Sequence, residues 1–325
     1  MASYNGASSF ILAGEETTFK TAVTPDKSLG VTASVDVQES NNLEEVRTIG
    51  DREIVAMIEG NYDASISLEG TMNSGALLEM FFGQSTDTET TGDYTHTFVD
   101  RGTLEVANNI NSYTVSTNHD GSSDFVFTYA GVKCNTLEIT CNVGESIKFS
   151  SELVAATVAT STSLGTKVQT TTTPLAFSQA TLSTGDEGSE STVAQMQGFN
   201  LSLNNNIDVS DVREFGSRTA ADFVVKQLST GGEFTVKFAN KTEAERFLGG
   251  TSPQSGITDT GIIFSANNGV TLGSGRVEIY VKLLGCKYES LGRTYGQDGV
   301  VEETFSFTGG QIDDFYFVDA IDTYF

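Results

Sequence analysis

Apolar and polar residues alternate with period two along most of this chain, and that pattern limits the fold more than any other feature. Extended backbone sends successive side chains to opposite faces, so such runs build sheets with one dry and one wet face. In "NYDASISLEGTM", Tyr62, Ala64, Ile66, Leu68 and Met72 point one way, and Asp63, Ser65, Ser67, Glu69 and Thr71 the other. Val31, Ala33, Val35 and Val37 alternate with Thr32, Ser34, Asp36 and Gln38. Leu137, Ile139, Cys141 and Val143 alternate with Thr136, Glu138, Thr140 and Asn142. The second half repeats the pattern in Phe199-Leu201-Leu203, Phe234-Val236-Phe238 and Val277-Ile279-Val281-Leu283. With 33 glycines, 3 prolines and abundant Thr and Ser, the composition favours many short strands joined by tight turns.

Helical signals are few. "NSGALLEMFFG" predicts a short helix capped by Asn73, with Leu77, Leu78, Phe81 and Phe82 on one stripe and Gly83 as its stop. "NKTEAERFLGG" predicts a second, with Asn240 and Glu243 at capping-box spacing and Gly249 at its end. "TVATSTSLGTKVQTTTTP" (157–174) reads as an extended linker, and the polar stretch 83–97 as a long loop.

The two helices sit in equivalent places. Shifting the sequence by 166 residues lays Val35–Gly83 on Leu201–Gly249 without a gap. Seven identities result: Val46/Val212, Arg47/Arg213, Gly50/Gly216, Arg52/Arg218, Glu79/Glu245, Phe81/Phe247 and Gly83/Gly249. Further on, "FTYAGVKCNTLEI" aligns with "VKLLGCKYESLGR", placing Gly131 over Gly285 and Lys133 over Lys287. Tandem domains are the economical reading: 1–160 with an N-terminal arm, a linker over 161–175, and 176–325. The repeated Val-Arg-x-apolar-Gly-x-Arg element has two readings. Its arginines pair with nearby surface acids, or Arg47, Gly50, Arg52, Arg213, Gly216 and Arg218 stand at subunit joints, where guanidinium groups clasp carboxylates of the next domain.

Charge and motifs narrow the function. Against 18 basic residues stand 43 acidic ones, a net charge of −25, which opposes nucleic-acid affinity built on phosphate neutralisation. The three cysteines, Cys134, Cys141 and Cys286, read as small apolar strand residues, with no metal or disulfide spacing. The chain is expected to lack a signal peptide and a membrane-spanning helix, and so to be made in the cytoplasm without inserting in a membrane. His96 and His119 have no ligand or catalytic partner at motif spacing. "NHDGSSD" (118–124) reads as a hairpin turn in preference to a calcium loop, and "STGDEGSES" (183–191) as an acidic turn. No enzyme, cofactor or metal is expected.

"VRTIGDRE", "YDASISLEG", "GALLEMFFG" and "YAGVKCNTLEITCNVGESIKFSSEL" together resemble the tail tube proteins of long-tailed viruses of bacteria and archaea, most clearly over roughly residues 30–155. The second half departs from the pattern at Gln227–Gly232. The resemblance implies a mainly β chain: two tail-tube-type β-sandwich domains, each with one short helix, whose inner sheets join into a closed barrel on assembly. It implies partners of the same kind, with three chains giving a ring of pseudo-sixfold symmetry and rings stacking into a tube in the virion tail. Other tail proteins would meet the tube ends, and viral DNA would pass through without specific binding. Asp36, Asp63 and Glu69 are then candidates for the lumen, where acid repels DNA over a Debye length of ~10 Å at ~0.1 M salt. Phe315 and Phe317 of the aromatic tail "DDFYFVDAIDTYF" join the arginines as interface candidates, as do the arm 1–30, the 83–97 loop and the linker. A secretion-type tube of related fold and a surface β-sandwich adhesin are the other readings; the expected lack of a signal peptide weighs against the adhesin.

Overall fold

The computed structural model describes residues 6–168, 172–210, 212–297 and 299–325. In chain order the elements are β1 (Ser9–Glu15), β2 (Val31–Ser40), β3 (Glu44–Val46), β4 (Ala56–Ile58), β5 (Asp63–Thr71), α1 (Ala76–Phe82), β6 (Thr86–Thr90), β7 (Asp93–Asp100), β8 (Tyr113–His119) and β9 (Phe125–Asn142). Then come β10 (Lys148–Ala155), β11 (Thr157–Ser161), β12 (Ala180–Gly185), β13 (Ser191–Thr192), β14 (Met196–Asn204), β15 (Ser229–Lys237), α2 (Thr242–Leu248), β16 (Thr260–Asn267), β17 (Glu278–Thr294) and β18 (Glu302–Asp319). The protein is mainly β.

Strand pairing is antiparallel throughout the ladder β17-β18-β15-β14-β9-β10-β5-β2. Four strands come from each half, and β9 of the first half is bonded directly to β14 of the second. The dry faces expected from period two are the buried ones: Ile66 and Leu68 on β5, Leu137 and Ile139 on β9, Leu201 and Leu203 on β14, Phe305 and Phe307 on β18. β9 changes partners along its length. Residues 125–132 pair with β8 and, up to 130, with β11, while later ones pair with β10 and β14. Gly131 marks the change with φ +66°, where an added Cβ would strike Ala156 and crowd Phe19.

The same ladder is laid down twice. β5 and β15 span the same length 166 residues apart, as do α1 and α2. Thr71 faces Lys148 and Lys237 faces Glu302; Thr140 faces Lys148 and Thr294 faces Glu302. Even the bulge recurs, skipping Asn135 in β9 and Glu289 in β17. One sequence expectation shifts. Val35 lies opposite Leu68, and the residue opposite the equivalent Phe234 is Phe199, not Leu201. The gapless alignment is therefore two residues out over β2 and β14, because the second half carries two extra residues ahead of Arg213.

Several local expectations change. Gly83 and Gly249 do end the helices in left-handed conformation, φ +73° and +76°. Asn73, however, does not cap α1: its Oδ1 accepts from Val31 N–H and its Nδ2 donates to the Thr172 carbonyl, tying β2 to the linker. Glu243 forms no capping box, bonding Tyr288 and Arg246 instead. The stretch 83–97 is no long loop. Most of it belongs to the β6–β7 hairpin, whose second strand joins β18 from the other half. Phe315 and Phe317 are fully buried in the core, Phe315 against Phe82 and Phe98, so the aromatic tail is no free interface segment. The Asn118–Asp124 stretch turns the β8–β9 hairpin, and residues 186–190 link β12 to β13. Of the linker, 157–161 forms β11, and residues 169–171 lie outside the described ones, as does part of the N-terminal arm (1–5).

Candidate functional site: two arms and two open sheet edges

Each half throws out one arm between paired strands: residues 41–62 between β2 and β5, and 205–228 between β14 and β15. Their roots are built alike. Asn42 and Asn206 both take positive φ, +42° and +49°. Asn42 Nδ2 donates to the Asn61 carbonyl and Asp63, and Asn206 Nδ2 to the Gln227 carbonyl and Ser229 Oγ. Val55 N–H bonds the Val46 carbonyl, as Ala221 N–H bonds that of Val212. Gly50 and Gly216 turn the tips at φ +96° and +88°, and beside them Ile49 and Phe215 are fully exposed.

The arms differ in what they touch. The second lies across the first half. Arg213 Nη1 donates to the Tyr62 and Arg218 carbonyls at 3.1 and 3.0 Å, and Nη2 ion-pairs with Asp63. Arg218 reaches the Gly60 carbonyl at 2.9 Å and Asn41 Oδ1 at 2.7 Å, while Tyr62 N–H bonds the Arg218 carbonyl. Lys20 Nζ donates to Thr219 Oγ1 and the Ala220 carbonyl, and Lys133 Nζ to the Phe223 carbonyl at 2.9 Å and to Asp222. Ala220 and Phe223 are buried in a small cluster with Ala156, and Phe223 meets Phe19 edge-on at 5.6 Å.

The first arm has no such seat. Among the described residues, Arg47 pairs only with Glu45, two residues back, and Arg52 has no bonded partner. Met57, which corresponds to Phe223, is 53% exposed against 2%. Leu43, Ile54, Val55 and Ile58 are exposed as well. The adjoining β2 is open too: Val35 of its dry face is exposed, the bulge at Ala33 puts the exposed Val31 opposite Thr71 on the wet face, and among the described strands β2 pairs only with β5.

The wet face crosses all eight strands. Asp36 lies opposite Ser67, Ser67 opposite Glu152, and Glu152 opposite Thr136; Glu69 faces Ser150, Ser150 faces Glu138, and Glu138 faces Ser202. Asp36 and Glu69 are exposed there. Asp63 is taken up by Arg213 and Asn42 at the arm joint, so the structure separates it from the other two.

A third cluster is buried. His96 lies between Asp87, 2.8 Å from Nδ1, and Asp319, 3.4 Å from Nε2 without hydrogen-bond geometry. Tyr324 stacks on its ring and donates to Asp319. Glu79, with an unpartnered buried Oε2, is pushed up to about 7 by burial and by Asp87 and Glu15. Among the described residues no group of His, Cys, Asp or Glu could hold a metal ion, and no helix is long and apolar enough to cross a membrane.

The family model for phage tail tube protein matches residues 6–309, nearly the whole chain. The chain belongs to the phage tail tube protein family. A tube protein's function is structural. No curated protein matches the sequence. Among solved structures the SPP1 tail tube, determined by solid-state NMR and cryo-EM, is similar at 12% identity over 44% of this chain and 79% of that one, with a TM-score of 0.33. Sequence reading found the arm arginines of this tube protein but missed the groups that receive them. Asn41, Gly60 and Tyr62 offer mostly backbone oxygens, which leave no trace in residue type.

Proposed function

We propose that three copies of this chain close a ring of six equivalent units, and that rings stack into the tube through which viral DNA passes. The units are the expected domains, 1–160 and 176–325 around a 161–175 linker. The observation carrying this reading is the β9–β14 joint. Within one chain the first half's β9 accepts the second half's β14 as a neighbour. Of the equivalent strands, β17 is bonded to β16 up to Cys286 and, among the described residues, only to β18 from Lys287 to Thr294, and β2 pairs only with β5. A sheet with two matching open edges is a hazard in a monomer and is relieved by closing on copies of itself. Three two-unit chains closing one cylinder account for the repetition of the arm element.

In that ring the wet face lines the bore. Asp36 and Glu69, joined by Glu138, Glu152 and Glu233, present carboxylates to passing phosphates and outnumber the lysines of that face, among them Lys148 and Lys287, which are ion-paired with Glu145 and Asp259. Ile49 and Phe215 protrude equally from both arms, whether or not the arm is seated. Their common partner is outside the ring, and the stacked ring supplies it. Electron microscopy of the purified chain tests the reading: hollow filaments of threefold rings support it, and compact particles that never polymerise oppose it.

A further inference from the structure

The geometry points to a specific seat for the unoccupied first arm: the cleft at Gly285 and Gly310 on the second half of a neighbouring copy. This deepens the ring reading and rests on it. The template is the joint inside the chain, where the second arm's Phe223 settles beside Ala156 and hands its carbonyl to Lys133. Carried along the repeated ladder, Gly131, Lys133 and Ala156 become Gly285, Lys287 and Gly310. Where the first half has Ala156 and Phe19 under the arm, the second has a cleft of about 390 Å³ lined by Leu284, Gly285, Gly310 and Gln311 with the charged Arg101, Glu187 and Asp259. Met57 occupies Phe223's place in the first arm. Its unbranched, pliable side chain suits an irregular cleft walled in part by Leu284, Gly285 and Gly310.

The polar contacts carry over as well. Lys133 is buried under the second arm, 3% exposed, while the Lys287 side chain is 47% exposed and rests on the Ile257 carbonyl and Asp259. Seating the first arm brings the Met57 carbonyl to Lys287. Arg213 and Arg218 use the carbonyls of Tyr62 and Gly60. Arg47 and Arg52 find those of Leu228 and Lys226 at the root of the neighbour's second arm. One difference is built in: Ser229 stands where Asp63 receives Arg213, so the joint between chains lacks the ion pair of the joint within one. The same transfer sets the strand register. Asn204 faces Thr136 within the chain, so Ser40 of one copy faces Ser290 of the next.

The experiment uses the full chain with two reporters. Ser40→Cys with Ser290→Cys reads the sheet edge by disulfide formation between copies, each single variant serving as control. A photo-reactive benzophenone side chain at position 57 reads the arm by mass spectrometry of the covalent dimer. Expected are disulfide-closed trimers and photo-products carrying residues 284–287 or 309–311 of another copy. Met57→Asp should raise the concentration needed for assembly at least tenfold and leave the monomer's melting temperature unchanged. Closed trimers whose photo-products lie elsewhere, or only within the same copy, overturn the seat and leave the ring standing. Absence of both products, with the chain monomeric at every concentration, overturns the ring together with the seat.

Discussion

Arg213 and Arg47 have the same sequence surroundings and opposite situations, and the contrast shows how environment decides what a residue contributes. Arg213 is mostly buried between the halves and donates to carbonyls as well as to Asp63. Replacing it by Ala leaves those acceptors short and is expected to cost the monomer about 2 kcal/mol, read from the urea midpoint. Arg47 is largely exposed beside Glu45, so Arg47→Ala is expected to change monomer stability by less than about 0.5 kcal/mol. Its loss should appear only in assembly. Titration adds a second residue-scale outcome. Glu79 rises from 4.5 to about 7, so between those values the folded chain holds a proton that the unfolded chain has released. Stability therefore falls as pH climbs through that window. His96 acts with the same sign: burial opposes its charge, but Asp319 and Asp87 outweigh burial and raise its pKa, so its contribution fades as pH rises through that raised value. Glu79→Gln should flatten the decline and stabilise the protein at pH 7.5 by on the order of 1–2 kcal/mol, with little change at pH 4. An unchanged pH profile would remove Glu79 from this account.

At the scale of elements, β5, β15 and both helices were legible because strict alternation and a terminal glycine leave little freedom. Two things were not. The β6–β7 hairpin hid because Thr86–Thr90 is polar on both faces and β7 buries Asp93 and His96 alongside Phe98. Asp93 is accommodated by the backbone N–H groups of Gly273, Ser274, Gly275 and Arg276, which together overcome the burial that would raise its pKa and lower it instead. No side-chain pattern announces four backbone donors. Asp93→Ala is expected to release the β16–β17 turn and destabilise the chain by about 2–3 kcal/mol; hydrogen exchange at those four amides is the direct readout, and retained protection would contradict it. The β2–β14 register was the other miss. A two-residue insertion ahead of Arg213 is invisible when both strands alternate, since a shift of two preserves every face. Only the ladder could reveal it. For the same reason the alternation located Asp36 and Glu69 on a wet face but could not show that Asp63, on that face too, is claimed by an arm.

Across the whole molecule, the repeated ladder, the β2 edge and the unseated first arm support the proposed ring. The fully exposed Ile49 and Phe215 give a separable outcome. Ile49→Asp with Phe215→Asp should leave rings intact and shorten or abolish filaments, seen as ring-sized particles by analytical ultracentrifugation. Long filaments from that double variant would detach the tips from stacking. The proposed ring draws two equivalent units from each chain. It is tested most directly by the rotational symmetry of the assembled particle in averaged end-on electron micrographs. That arrangement predicts six similar lobes related in pairs, with true threefold and only approximate sixfold symmetry. Six whole chains in a ring, or an open arc of strands, would contradict it.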